Sequence, residues 1–313
     1  QRCCIRTIER PGDTRHTICR GNCAGEQQGR IGVAVEHQRL ARNINDPLVL
    51  IIRQNLNSRD DRIDCNLFLR RIRLAVQRAR ESGVAVGLAT GRGRIATRPI
   101  WKELDLHGPS IQYGGAMIAD IDSERALVLH EMDPEIIREV LAFAKEVDIP
   151  AQIYIDDAVI TEQSSERAEL YVSRHKLPFM IDPDIRKKTF HNVPKVLAFA
   201  PVERQDELFA HFKERFAGIA QVSRSSPGFI EINNIGVTKA TALEEFASFL
   251  RVPREQTAAI GDNFLDQEMI EWAGLGACVA DGAEEVKAVA DLIVPSCDED
   301  GVAAFIEQYI LSK

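Results

Sequence analysis

Apolar positions fall into regular periods from Leu48 onward and follow neither the helical nor the strand period before it. The run Leu48-Val49-Leu50-Ile51-Ile52 has the length and unbroken apolar character of a buried strand, and it passes directly into Arg53, Gln54 and Asn55. Further on, Leu69, Ile72, Val76 and Ala79 share one helical face, and Gly83 stands where a glycine closes a helix. The segment GVAVGLAT predicts a strand that ends at Thr90-Gly91-Arg92, and PSIQYGGAMIAD predicts a strand pair about a Gly114-Gly115 turn. Helix, strand and loop in this order make a unit of the βαβ kind.

A second region begins near residue 121. Asp133 and Pro134 suit the N-cap and first position of a helix that turns Ile137, Val140, Leu141 and Ala144 inward. Strand-like runs follow at AQIYID, PKVLAFAP and GFIEIN, with an amphipathic helix at DELFAHFKERF between the last two. After Asn234 the alternation returns: helix TALEEFASFL, strand TAAIGD, helix QEMIEWAG, strand GACVA, helix AEEVKAVA, strand DLIV and helix GVAAFIEQYIL. The fold class is therefore α/β, a parallel-sheet core interrupted by an inserted α/β domain. The expected divisions are a leader at 1–45, core at 46–120, insert at 121–230 and core again at 231–313.

Charge alters this picture at the front of the chain. The net charge of −8 speaks against a protein whose main partner is nucleic acid. Residues 1–98 nevertheless carry 19 arginines, no lysine and nine acidic residues, leaving 20 basic and 38 acidic residues for the rest. Solvated helix faces and an unusual leader account for the basic front, and an RNA- or DNA-binding arm is the alternative. Cys3, Cys4, Cys19 and Cys23 crowd the leader beside His16 but form no paired Cys-x-x-Cys knuckle, so zinc is the lesser reading there. Cys65, Cys278 and Cys297 read as reduced core thiols. With no apolar run of membrane length and no apolar signal segment in the first 30 residues, the expectation is a cytoplasmic protein that does not engage a membrane.

Chemistry in an open α/β sheet belongs at the carboxyl ends of the core strands. Thr90 offers a hydroxyl there, and the following N–H groups with Arg92 can hold an anion; an ordinary strand-to-helix turn is the plainer reading. Lys239, at the start of a helix, can neutralise a phosphate or simply be a surface lysine. Asp262 closes an apolar strand, with Asp266 four residues on; paired carboxylates at such a place suit a hard cation such as Mg²⁺, unless Asp266 is a helix cap.

Together, GLATGR and the long ordered block AAIGDNFLDQEMIEWAGLGACVADGAEEVKAVADLIVPSCDEDGVAAFIE resemble the haloacid dehalogenase superfamily, in its Cof-type branch with an inserted α/β cap. The resemblance runs from Leu48 to the C-terminus and implies a Rossmann-like core. It implies that Thr90 and Lys239 hold phosphate, that Gly91, Arg92 and Gly115 contact substrate, and that Asp262 and Asp266 position Mg²⁺. The implied reaction is hydrolysis of small phosphorylated metabolites, sugar phosphates foremost. It proceeds through an aspartyl-phosphate formed by the first Asp of an Asp-x-Asp-Gly-Thr motif, while the second Asp serves as acid and base. The sequence departs from the pattern at Gly114 and Leu265, where the family usually has Asn.

The larger departure is at the first strand. Aligned from LNSRDDRI, the two catalytic positions fall on Leu50 and Ile52; aligned from the strand, they fall on Ile52 and Gln54. Asp46 precedes the strand and Asp60, Asp61 and Asp64 follow it, so neither alignment supplies a carboxylate. Either the chain is a phosphatase fold without its nucleophile, a phospholigand-binding protein, or the residues before Leu56 are not what the functioning gene encodes. The Lys-free, Arg- and Cys-rich front favours the second explanation. It predicts that the nucleotide sequence for residues 40–60, translated in all three frames, contains an Asp-x-Asp-Gly-Thr run that rejoins at Leu56; three frames without one would establish the loss of the nucleophile.

Overall fold

The computed structural model of the protein describes residues 48–52 and 65–312. The leader and its cysteines, Gln54, and the acids Asp46, Asp60, Asp61 and Asp64 lie outside the described residues. Strand β1 (Leu48–Ile52) is followed by helix α1 (Cys65–Glu81) and strand β2 (Val84–Leu88). The helix buries Ile72, Ala75, Val76 and Ala79 completely, as their three- and four-residue spacing requires, while Arg70, Arg71, Arg73 and Arg78 keep their charge in solvent. Gly83 takes φ +85° just past the helix, and its N–H reaches the Arg80 carbonyl at 2.9 Å. Helix α2 (Arg94–Leu104) leads to β3 (Pro109–Gln112), β4 (Met117–Asp120) and β5 (Arg125–Leu129), a small antiparallel sheet in that order.

The inserted region begins with α3 (Pro134–Glu146), capped by the Asp133 carboxylate, which accepts the Glu135 N–H at 2.7 Å. It continues through β6 (Ala151–Ile155), β7 (Ala158–Thr161), α4 (Glu166–His175), β8 (Phe179–Ile181), β9 (Lys195–Phe199), α5 (Gln205–Arg215), β10 (Ala220–Arg224) and β11 (Phe229–Asn234). These strands form a six-stranded sheet in the order β10-β11-β9-β6-β7-β8, antiparallel except for β7 beside β8. One face packs Ile153, Val196, Ile230 and Ile232 against Val140 of α3 and Phe212 of α5. The opposite face carries Tyr154, Leu197 and Phe199, which pack with Val172 of α4 and with Tyr113, Met117 and Ala119 of the first region. β5 pairs with β4 of the first region, and β11 runs on to Asn234.

The return passage is α6 (Lys239–Phe249), β12 (Thr257–Gly261), α7 (Gln267–Trp272), β13 (Leu275–Val279), α8 (Glu284–Lys287), β14 (Leu292–Val294) and α9 (Gly301–Phe305). Its strands join the first two in one parallel sheet, β14-β13-β12-β1-β2, which is the expected α/β core. The helix expected at AEEVKAVA narrows to Glu284–Lys287, and α9 passes into a π-helical turn at Ile306–Ile310. Cys278 and Cys297 are buried free thiols, raised by burial to about 11 and about 12. Among the described residues no helix is long and apolar enough to cross a membrane.

A polar latch ties the insert to the core. The β6–β7 hairpin turns through Asp156 and Asp157, both at positive φ (+47° and +66°). Asp157 is 4% exposed, and its carboxylate accepts the backbone N–H of Arg94 at 2.8 Å, the Arg94 Nε–H at 3.0 Å and the Tyr113 hydroxyl at 2.5 Å. Burial, reinforced by the Asp157 charge, holds the Tyr113 phenol well above its usual range. Gly93 is required here, because a Cβ would stand 2.1 Å from the Tyr113 hydroxyl and 2.2 Å from Asp157. Asp157→Ala leaves the Arg94 charge without its buried partner and should destabilise the fold by about 3 kcal/mol in urea unfolding; a loss under about 1 kcal/mol would show the latch to be no more than a surface contact.

Candidate active site

The parallel register sets the geometry of the site. Ile52 pairs with Leu88 on one side and with Ile260 on the other, so β12, β1 and β2 end at one edge. Thr90 lies two residues beyond Leu88 and Asp262 two beyond Ile260; the corresponding residue of the first strand is Gln54, outside the described residues. The loops bearing Thr90 and Asp262 therefore leave the sheet on either side of β1. No carboxylate is present in β1 itself, whose residues are Leu-Val-Leu-Ile-Ile.

The Thr90 loop is held by backbone bonds to the β3 region. Thr90 donates its N–H to Ile111 O at 2.9 Å, and its carbonyl accepts the Gly114 N–H at 3.0 Å. Its hydroxyl oxygen accepts the Arg92 N–H at 3.2 Å, and the Arg92 carbonyl accepts the Tyr113 N–H at 3.1 Å. Thr90, Gly91 and Arg92 are all half-buried, so the expected anion-holding loop borders open space.

Thr238 caps α6 reciprocally with Thr241, which sets Lys239 in the first turn at 1% exposure. A buried ammonium requires a counter-charge, and Asp266, at 0% exposure, provides it: Lys239 Nζ stands 2.5 Å from Asp266 Oδ1. The other oxygen of Asp266 accepts the N–H groups of Asp262 at 3.2 Å and Asn263 at 3.0 Å. Both oxygens are thus engaged by protein donors, and Asp266 orients Lys239 and the Asp262 loop. Asp262 is half-buried and presents the carboxylate that suits a hard cation; Mg²⁺ keeps several waters and takes as few as one or two carboxylates. Among the described residues no cluster of three metal-ligating side chains occurs.

Gly115 has a packing role. A Cβ at this residue, at φ +113°, would lie 2.1 Å from the Thr238 carbonyl, so the glycine lets the turn approach the start of α6. It is not among the residues that line the cleft beside Thr90, Gly91 and Arg92.

That cleft, of about 280 Å³, separates the core loop from the insert. Its opposite wall holds residues that periodicity did not single out: Arg167, Tyr171, Arg174 and His175 of α4, and the pair Lys195 and Glu231. Lys195 and Glu231, at 1% and 3% exposure, meet at 2.6 Å; the ammonium also donates to Gly91 O at 2.7 Å and lies 5.2 Å from the Tyr154 ring centre. Ser225 Oγ donates to the second Glu231 oxygen at 2.5 Å. Each side chain alternates with apolar residues in its strand, so only the pairing of β9 with β11 reveals the ion pair. His175 packs edge-on to Tyr171 at 4.8 Å, and burial, with the charges of Arg92, Arg174 and Lys195, lowers its pKa to about 4. Lys195→Met strands a buried carboxylate and should cost about 4 kcal/mol in chemical denaturation, whereas Lys195→Met with Glu231→Leu should cost less than either single change. Strictly additive losses would refute the pairing.

The haloacid dehalogenase-like hydrolase family matches residues 68–306. Among curated proteins, a 5-amino-6-(5-phospho-D-ribitylamino)uracil phosphatase of Bacillus subtilis is 24% identical over 75% of this chain and 88% of its own length. A pyridoxal phosphate phosphatase of Escherichia coli is 26% identical over 76% of this chain and 90% of its own. The crystal structure of a haloacid dehalogenase-like hydrolase from Bacteroides thetaiotaomicron superposes with a TM-score of 0.70 at 26% identity, covering 84% of this chain and 98% of that one. A parallel core with an inserted α/β cap, the loops at its strand ends and a family match across most of its length place the chain among the haloacid dehalogenase-like hydrolases, and by that resemblance among the Cof-type phosphoric monoester hydrolases.

Proposed function

We propose that this site serves Mg²⁺-dependent hydrolysis of small phosphorylated metabolites, with sugar phosphates the foremost class. The observation that supports this reading is that the Thr90-Gly91-Arg92 loop and the Asp262 loop, the latter held by the Lys239–Asp266 pair, leave the parallel sheet on either side of β1. The Thr90 hydroxyl and the loop N–H groups hold phosphate oxygens. Lys239, fixed by Asp266, contributes the positive charge that a phosphate dianion needs. Asp262 would hold Mg²⁺, which when bound supplies charge neutralisation at the phosphate. The cap excludes water and selects the substrate. The relatives named as phosphatases of a phosphoribityl compound and of pyridoxal phosphate support a small phosphorylated substrate.

A second reading is favoured by one observation, the absence of a carboxylate from β1. Without a nucleophile the covalent route is closed, and the site binds phosphorylated ligands without turning them over. The two readings separate in one set of experiments. Chains carrying Ile52→Asp with Gln54→Asp, or Leu50→Asp with Ile52→Asp, should release phosphate from p-nitrophenyl phosphate in Mg²⁺, and adding Asp262→Ala should lower the rate by at least about 100-fold. Silence from both restored chains would reject the phosphatase reading of this site. The unaltered chain should bind a sugar phosphate by calorimetry without hydrolysing it.

A further inference from the structure

The bond from Lys195 to the Gly91 carbonyl does more than tie two parts of the chain together. Gly91 O accepts from the ammonium at 2.7 Å, and the N–H of the same peptide unit, that of Arg92, donates to Thr90 Oγ1 at 3.2 Å. The peptide is trans, so its C=O and N–H point to opposite sides, and fixing one end fixes the other. A lysine of β9 therefore decides which way the Arg92 N–H faces. The Thr90 oxygen, having accepted that N–H, keeps its own proton for donation, and among the described residues that proton has no acceptor. An ammonium on the carbonyl polarises the peptide and makes its N–H a stronger donor. The Thr90 O–H is strengthened in turn, because hydrogen bonds in a chain reinforce one another where the dielectric is low.

Lys195 is itself held fast. Its ammonium lies 2.6 Å from Glu231 Oε2, 5.2 Å from the Tyr154 ring centre and 5.9 Å from that of Tyr113. The other oxygen of Glu231 accepts the Ser225 hydroxyl at 2.5 Å, and the Ser225 carbonyl accepts Asn263 Nδ2–H at 2.6 Å. The Asn263 backbone N–H in turn donates to Asp266 Oδ2 at 3.0 Å. One run of hydrogen bonds thus passes from the loop after β2, through the six-stranded sheet, to the loop after β12. We propose that Lys195 and Glu231 are positioning residues for phosphate binding, which through the Gly91–Arg92 peptide aim the Thr90 hydroxyl at the phosphoryl group and make it a stronger donor. This inference rests on the reading of the Thr90 loop as the phosphate seat. Both side chains act through Thr90. A plain tether between the two sheets would instead affect phosphate affinity to the same extent whether or not residue 90 carries a hydroxyl.

A double-mutant cycle on the full chain tests this, read by calorimetry of inorganic phosphate binding in Mg²⁺. Lys195→Met with Glu231→Leu removes the pair without stranding either charge. It should weaken phosphate binding by at least about ten-fold in the parent chain, but by less than about two-fold where Thr90→Val has already removed the hydroxyl. If that doubly substituted chain does not fold, Lys195→Gln with Glu231→Gln, neutral and close in shape, carries the same expectation. Amide exchange without ligand gives a second readout. The Arg92 N–H should exchange at least about ten-fold faster once the pair is gone, while the Gly114 N–H, bonded to Thr90 O in the same loop, changes less than about two-fold. An unchanged affinity in the parent chain, equal losses with and without the Thr90 hydroxyl, or Arg92 and Gly114 quickening together would reduce the pair to a tether and leave the phosphate seat standing. If the unaltered chain binds no phosphate, the phosphate seat is wrong and the inference falls with it.

Discussion

The buried pair of Lys239 and Asp266 is the constraint around which the carboxyl edge of the parallel sheet is built. An ammonium at 1% exposure and a carboxylate at 0% are tolerable only together and only with the remaining lone pairs used, which the N–H groups of Asp262 and Asn263 accomplish. The pair fastens the start of α6 to the loop after β12, elements 27 residues apart. It also dictates two small residues. A Cβ at Gly261 would lie 2.6 Å from the Asp266 Cβ, and one at Gly115 would collide with the Thr238 carbonyl just before Lys239. Asp262 owes its position to this arrangement, since its backbone is one of the donors that Asp266 holds.

The cap is joined to that edge by charges as well as by apolar contact. Lys195 and Glu231 lie on adjacent cap strands, and the lysine reaches across to the Gly91 carbonyl, so the loop that borders the cleft is braced from the cap side. Asp157 performs the corresponding function at the start of α2, where it gathers the N–H and side chain of Arg94 with the Tyr113 hydroxyl. Between these two polar attachments, Tyr113, Met117 and Ala119 pack with Tyr154, Leu197 and Phe199. The cleft therefore has one wall formed by the Thr90-Gly91-Arg92 loop of the core and another formed by α4.

Beside this well-constructed surround, β1 stands out for its composition. It takes its place in the middle of the parallel sheet, paired along its length with β12 and β2, yet contributes only aliphatic residues. The polar groups at the carboxyl edge come from α6 and from the loops after β2 and β12, while β1 itself brings none.

Much of this was legible in the sequence. The helical spacing of Ile72, Val76 and Ala79, the capping Asp133 and the runs that became β2, β9, β11 and β12 depend on local periodicity and capping chemistry, which a chain carries wherever it folds. The places of Thr90 and Asp262 just past strand ends and of Lys239 at a helix start were likewise legible, because the local pattern marks where strands end and helices begin. Other features depended on contacts between distant residues. Asp266 meets Lys239, Gly115 packs against the start of α6, and Lys195, Glu231 and His175 emerged only when β9, β11 and α4 were brought over the core. Sequence determined the elements and the strand ends where chemistry could occur, because hydrophobic periodicity and capping act within a few residues. Tertiary structure alone decided which charges meet, because an ion pair across 27 or 36 residues leaves no local period to read.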